Sequence, residues 1–99
     1  MKGYIVLILK KGDNVGGLKD SREILVLNID NGESTTIDNK YSDKGIDFLE
    51  ELFDEYDPSL IFISKVDDET RFKIEENGVK VIETGHRDIK GLREELFLY

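Results

Sequence analysis

Four short runs of apolar, largely β-branched residues constrain the fold of this 99-residue chain more than any other feature. The runs are Tyr4–Leu9, Glu23–Asp30, Leu60–Ile63 and Val79–Ile82. Runs this short, with few polar residues inside them, are typical of strands that are buried on both faces of a sheet. A fifth segment, Ser34–Ile37, is short and polar, as expected of an edge strand. We therefore predict a sheet of five strands.

Helical spacing of apolar residues begins at Ile46, after the third predicted strand. In the first predicted helix Ser42 is the expected N-cap, apolar residues recur through Ile46–Tyr56, and Pro58 stops the helix. Asp67 or Asp68 is the expected cap of a second helix, and a third helix follows the last strand. The later strands therefore alternate with helices, which is typical of an α/β domain.

The connections between these elements predict the topology. Asn31-Gly32 between the second and third predicted strands favours a tight hairpin with a type I′ turn. The fourth and fifth strands each follow a helix, so right-handed crossovers place them parallel to the first strand. We predict one domain over residues 1–99, with the element order β-β-β-α-β-α-β-α. Its five-stranded mixed sheet has the order 3-2-1-4-5 and three helices, which cover both faces in a three-layer arrangement.

Three connections of this topology meet at the carboxyl edge of the parallel strands, where open α/β sheets bind ligands. They are residues 10–22, 64–67 and 83–87. The first is rich in glycine, and we expect it to be flexible. The other two lead into helix N-termini, whose free N–H groups and dipole favour anions. The residues predicted to line this ligand site are Gly16, Gly17, Ser21, Arg22, Ser64, Lys65, Gly85 and His86.

Composition excludes several classes of site. The chain has no cysteine, which removes disulfides, thiolate metal sites and any thiolate anchor for an iron–sulfur cluster. The formal net charge of −8 repels phosphate backbones, so we expect no nucleic-acid partner. The longest apolar run is far shorter than the roughly 20 residues that cross a bilayer. We expect a cytoplasmic protein without a membrane partner.

No catalytic constellation is readable either. His86 is the only histidine, and a lone histidine cannot build a metal site without partners, although it could ligate a metal cluster that carboxylates or other proteins also hold. The metal, if there is one, is left unassigned. The first strand carries no acidic residue, which argues against a two-metal nuclease. We therefore predict no catalytic residues and no enzymatic activity.

With these elements placed, the chain resembles the dinitrogenase iron–molybdenum cofactor biosynthesis family. Ile24–Asp30 with its Asn31-Gly32-Glu33 turn is similar to the hairpin of that family. Tyr56–Ser64 resembles its Gly-Val-Asp-Val-Val-Ile strand, and Phe72–Val81 resembles its helix-to-strand passage. The final helix, Asp88–Leu96, falls where the helix of the family does. The resemblance extends over the whole chain and implies a ribonuclease H-like fold.

The resemblance also implies a function. It suggests a non-enzymatic carrier or chaperone that holds an iron–sulfur or iron–molybdenum cluster precursor, or a small anion, and works with cluster-assembly proteins. The alternative is a protein–protein interaction module without a metal cluster, either monomeric or a weak homodimer. Its partner surface would be the edge of the third predicted strand or the apolar tail Leu96–Tyr99.

Overall fold

A computed structural model describes residues 4–98, which form six strands and four helices. The α/β class and the mixed sheet are confirmed, with one strand and one helix more than predicted. None of the helices in this range is long and apolar enough to cross a bilayer. The elements are β1 (Ile5–Lys11), β2 (Asn14–Val15), β3 (Glu23–Asn28), β4 (Ser34–Asp38), α1 (Tyr41–Lys44), α2 (Ile46–Tyr56), β5 (Leu60–Ile63), α3 (Asp68–Glu75), β6 (Lys80–Glu83) and α4 (Ile89–Leu96).

The sheet has the order β4-β3-β1-β5-β6, and the additional strand β2 folds back onto β1. Without β2 this is the predicted order 3-2-1-4-5. β3 is antiparallel to both β1 and β4, whereas β5 and β6 are parallel to β1. β1 lies in the centre, where Leu7 is opposite Val26 on one side and Ile61 on the other.

Alternating side chains of the central strand separate two apolar cores. Leu7 and Leu9 point into the core beneath α2 and α3, while Val6 and Ile8 point into the core beneath α4. All four are fully buried, and each such aliphatic side chain contributes about 1.5–3 kcal/mol through burial. The three-layer arrangement follows from this double-sided burial.

The hairpin between β3 and β4 differs from the prediction. Residues 29–33 form a longer loop, in which Gly32 has a φ of 76° but Asn31 does not enter the left-handed region. Asn28 organises the loop, because its side-chain oxygen accepts the N–H groups of Asp30 at 2.9 Å and Asn31 at 3.3 Å. The predicted type I′ turn is therefore wrong, since this side chain stabilises a wider turn.

The start of the first predicted helix also differs. Ser42 lies inside the short helix α1 and does not cap it. The Asn39 side chain instead accepts the N–H of Tyr41 at 3.0 Å. Gly45 then separates α1 from α2 with a φ of 63° and a ψ of −143°, a conformation accessible almost only to glycine. The prediction for α3 is confirmed, because Asp67 accepts the N–H of Thr70 at 3.0 Å.

Candidate functional site

Main-chain hydrogen bonds join the three predicted loops at the carboxyl edge of the sheet. Gly16 donates its N–H to the carbonyl of Leu9 at 2.8 Å, and its own carbonyl accepts the N–H of Ser64 at 3.0 Å. The carbonyl of Ser64 in turn accepts the N–H of Gly85 at 3.0 Å. The predicted convergence of the three loops is therefore confirmed.

The glycine-rich segment is not the unstructured loop that its composition suggested. Its β2 strand pairs with the end of β1 and also contacts the loop before α4. Val15 donates its N–H to the carbonyl of Arg87 at 2.7 Å, and Ile89 donates to the carbonyl of Asp13 at 2.9 Å. His86 Nδ1 lies 3.3 Å from the carbonyl of Val15. These contacts fix the segment, because its main-chain groups are bonded on two sides.

A crevice of about 510 Å³ opens between the first and second loops. Its walls come from the glycine-rich segment, the start of α1, the loop after β5 and the beginning of α3. Leu18, Tyr41 and Val66 provide apolar surface, and most of the other lining residues are polar or charged. The lining residues are Gly17, Leu18, Lys19, Asp20, Tyr41, Ser64, Lys65, Val66, Asp67, Thr70 and His86.

Ser64 is the most buried polar side chain in the crevice wall. The residue is only 8% exposed, and within residues 4–98 its hydroxyl makes no hydrogen bond. A Cβ atom on Gly17 would lie 3.5 Å from Ser64 Oγ, in ordinary contact. Among residues 4–98 the buried side-chain oxygen without a partner is Ser21 Oγ, so the unpaired Ser64 Oγ reaches the solvent of the crevice and is a hydrogen-bonding group available to a bound molecule.

Two lysines add positive charge to the same walls. Across residues 4–98, neither Lys19 nor Lys65 forms a salt bridge within 4.0 Å. In the described part of the chain, the main-chain N–H groups of Leu18, Lys19 and Lys65 also donate no hydrogen bond. These donors and charges are therefore available to a ligand.

The two carboxylates of the crevice are already engaged. Asp20 accepts the N–H of Gly17 at 2.7 Å and lies 3.2 Å from Lys11 Nζ. The Gly17 hydrogen bond and the Lys11 charge hold the pKa of Asp20 below its ordinary value. Hydrogen bonds from the hydroxyl and N–H of Thr70 likewise lower the pKa of Asp67. Both carboxylates remain ionised near neutral pH. Lys11 offsets the charge of Asp20, whereas Thr70 is neutral and the positive charge that acts on Asp67 is that of Lys19.

The same contacts correct one expectation about the helix N-termini. Asp67 caps α3, and Asp88 caps α4 by accepting the N–H of Gly91 at 3.0 Å. Asp68 and Glu69 add negative charge to the first turn of α3. An anion would be attracted by the lysines and the loop amides rather than by the helix termini.

The eight predicted residues occupy four kinds of position. Gly17, Ser64, Lys65 and His86 line the crevice, whereas Gly16 and Gly85 contribute main-chain bonds to its rim. Ser21 is buried beneath the rim and its Oγ has no hydrogen-bond partner. Arg22 lies outside the crevice, in a separate depression next to the end of β4.

Sequence reasoning missed Lys19 and Asn39. Lys19 lies between the predicted residues Gly17 and Ser21, so proximity to that motif could have indicated it. Asn39 donates through Nδ2 to the carbonyls of Leu18 at 2.9 Å and Ser21 at 2.8 Å. It therefore anchors the crevice wall to the end of β4, a contact between distant segments that local patterns do not reveal.

Three solved structures share this arrangement of strands and helices. The crystal structure of PH0822 superposes with a TM-score of 0.76 at 13% sequence identity, covering 94% of this chain and 89% of that one. The apo form of the orange protein from Desulfovibrio gigas gives a TM-score of 0.74 at 14% identity, covering 95% and 88%. A putative NifB protein from Thermotoga, TM1290 of the DUF35 family, gives 0.73 at 16% identity, covering 96% and 87%.

The sequence comparisons give no further relative. No family model matches the chain, and no curated protein matches its sequence. At 13–16% identity the structural likeness shows the fold alone. The conclusion is that this chain has the fold shared by PH0822, the orange protein and the putative NifB protein.

Proposed function

We propose that this domain is a non-enzymatic carrier that holds a preformed anion, such as an oxo- or sulfido-metal cluster precursor, in the crevice. The observation that carries the proposal is the hydroxyl of Ser64, which reaches the crevice from a largely buried residue, has no hydrogen-bond partner within residues 4–98, and shares the crevice lining with two lysines that make no salt bridge. A bound anion would accept the Ser64 hydroxyl and gain charge-assisted contacts from Lys19 and Lys65.

The kinds of side chain that line the crevice determine which class of metal-containing anion it can bind. The chain has no cysteine, and residues 4–98 contain no cluster of three or more potential metal-ligating side chains. Hydroxyl, ammonium and amide groups bind the outer atoms of an anion and do not replace its metal ligands. The residues therefore fit an anion whose metal atoms already have all their ligands. They do not fit a cluster whose metal atoms must be bound by protein thiolates.

The side chains also favour a carrier over a catalyst. A serine nucleophile needs a base within hydrogen-bonding distance. Nδ1 of His86 instead lies against the carbonyl of Val15, and no hydrogen bond joins this ring to Ser64 in the described residues. Ser64 is thus arranged to donate a hydrogen bond rather than to attack a substrate.

The structural neighbours support a cofactor-related role. One is described as a putative NifB protein, and another as the apo form of the orange protein. These descriptions agree with the resemblance to the iron–molybdenum cofactor biosynthesis family. We therefore infer a distant relationship with that family, including its ribonuclease H-like fold and a partner in cluster assembly.

Titration of the full chain with molybdate and tetrathiomolybdate, under anaerobic conditions, tests the proposal. Isothermal calorimetry gives the dissociation constant, and two-dimensional NMR locates the contact. We expect one site, with amide shifts concentrated at residues 17–19, 64–65 and 86. Replacing Lys65 with glutamine should weaken binding about tenfold, equivalent to roughly 1.4 kcal/mol. Ser64→Ala should also weaken binding, because the donated hydrogen bond is lost.

Lys80→Gln is the matched control, because it removes the same charge from β6 at the amino-terminal end of that strand. Its binding constant should equal that of the unmodified chain. Equal weakening by Lys80→Gln and Lys65→Gln would mean that only net charge matters, and the crevice assignment would be wrong. Absence of binding by both anions at millimolar concentration would overturn the carrier function itself.

A further inference from the structure

The edge strand β4 ends in the charged residue Asp38, but one side of its backbone is not paired with any described strand. Its five residues, Ser34–Asp38, pair in regular register with β3 on one side and with no described strand on the other. Natural edges are commonly blocked by lysine, proline or a bulge. β4 contains none of these, whereas the opposite edge strand, β6, begins with Lys80 and ends with Glu83.

The register shows which main-chain groups of β4 point outward. Asn28 donates its N–H to the carbonyl of Glu33, and Asn39 donates to the carbonyl of Arg22. Bonding partners alternate along an antiparallel ladder, so residues 33, 35, 37 and 39 face β3. The N–H and C=O groups of Ser34, Thr36 and Asp38 therefore point away from the sheet and are free to pair with another strand.

We propose that a second copy of this chain pairs with β4, antiparallel about a two-fold axis through Thr36. This register places Thr36 opposite Thr36 and Ser34 opposite Asp38, so every outward group meets an outward group. Threonine pairs are favourable cross-strand neighbours, and a serine hydroxyl can donate to the opposing carboxylate. No like charges lie directly opposite each other in this register.

Charge along the adjacent groove supports the same arrangement. A groove of about 490 Å³ runs between β4 and α2, and its lining is mostly polar, with apolar contributions from residues such as Ile37 and Tyr56. Lys40 and Lys44 lie at the end of the groove where β4 stops and α1 begins. Lys44 is paired with Glu51 of α2 at 3.7 Å, so within the described residues Lys40 is the cation available to a partner. Glu55 lies near the end of α2, which runs back toward the start of β4.

A two-fold axis reverses the direction of the groove, from its lysine end to its glutamate end, in the second copy. The lysine end of one groove then meets the glutamate end of the other, which brings Lys40 of each copy towards Glu55 of its partner. The arrangement is isologous and closed, so it produces a dimer and not a fibre. Because the interface consists of a short strand and a polar groove, we expect weak, salt-dependent association.

Sedimentation equilibrium over a range of protein concentrations tests the pairing. The mass should rise from 11.4 kDa towards twice that value, with a dissociation constant on the order of 10–100 μM at low salt. Lys40→Glu and Glu55→Lys should each weaken the dimer about tenfold, and the double variant should restore it. Thr36→Lys should abolish it, because two like charges would be placed opposite each other.

The control is Lys80→Glu, which makes the same charge change as Lys40→Glu at the other sheet edge. The dimer dissociation constant of Lys80→Glu should change only by the small amount that the altered net charge causes. A strict monomer at about 1 mM would overturn the proposal. So would a dimer that tolerates Thr36→Lys, because the chains would then associate through another surface, such as the exposed Phe97 and Leu98. Anion binding in the crevice is measured separately, so failure here leaves the carrier function unaffected.

Discussion

Replacing Gly16 with alanine should be one of the most costly single-methyl additions to this chain. Gly16 lies at the meeting point of the three loops, and an ideal Cβ there would lie 2.3 Å from Ser21 Oγ and 2.7 Å from Lys11 Cβ. The Lys11 atom is attached directly to the backbone of β1, so it cannot move without displacing the strand. The Ser21 hydroxyl can rotate, but it is enclosed by protein.

The expected loss of unfolding free energy is about 2–3 kcal/mol, the upper part of the range for overpacking. Gly16 does not have a left-handed φ, so the loss would be steric and not conformational. In a domain of this size the loss corresponds to a fall of about 10–20 °C in melting temperature. Urea denaturation followed by circular dichroism measures the free energy directly, and the slope m should not change.

Two companion variants separate the steric clash at Gly16 from the general effect of adding a methyl group. Gly91→Ala adds the same methyl group within α4, where the new Cβ would lie 3.6 Å from its nearest neighbour, Asp88 Oδ2. It should stabilise the protein by about 0.5–1 kcal/mol, because alanine is the better helix former. Gly16→Ala combined with Ser21→Ala should recover part of the loss, since one of the two clashes is removed. A loss below about 0.5 kcal/mol for Gly16→Ala alone would refute the close packing at this junction.

Three further results are expected from the same denaturation assay. Gly45→Ala should cost about 1–3 kcal/mol, because the backbone between α1 and α2 has a conformation that other residues reach only under strain; a change within error would contradict that conformation. Asp88→Ala should cost about 1 kcal/mol through loss of the α4 cap, and Asp88→Asn should retain most of the stability. Hydrogen bonds from Thr70 lower the pKa of Asp67, so its stabilising contribution is complete above the ordinary carboxyl pKa and is lost as pH falls through the lower folded value. Asp67→Asn should flatten the stability curve in that acidic window, and an unchanged curve would exclude this origin.

The sheet could be predicted because its strands are defined by burial. The runs that became β1, β3, β5 and β6 have apolar residues on both faces, and that pattern has few alternatives in a short chain. Their order then follows from short connections and right-handed crossovers. β2 was missed because two residues, Asn14 and Val15, are too few to show a period.

The errors in detail arise where side chains bond to the backbone. The Asn28 side chain widened the hairpin, and the Asn39 side chain displaced Ser42 at the start of α1. Asparagine competes for main-chain groups in a way that strand and helix periodicity do not record. Arg22 was placed in the crevice because it adjoins Ser21, but Ser21 turns inward and Arg22 outward. In an irregular segment, the position of a residue along the chain therefore predicts where the residue lies better than it predicts where its side chain points.

The rim that unites the three loops is made of peptide groups, from Leu9 through Gly16 and Ser64 to Gly85. Peptide N–H and C=O groups are the same in every residue except proline, so these bonds place few demands on side-chain identity outside Gly16, where a Cβ atom would clash. Substitutions can therefore accumulate around the mouth of the crevice while its shape persists. In the proposed carrier, single replacements at positions such as 19 and 65 would then change selectivity without rebuilding the frame.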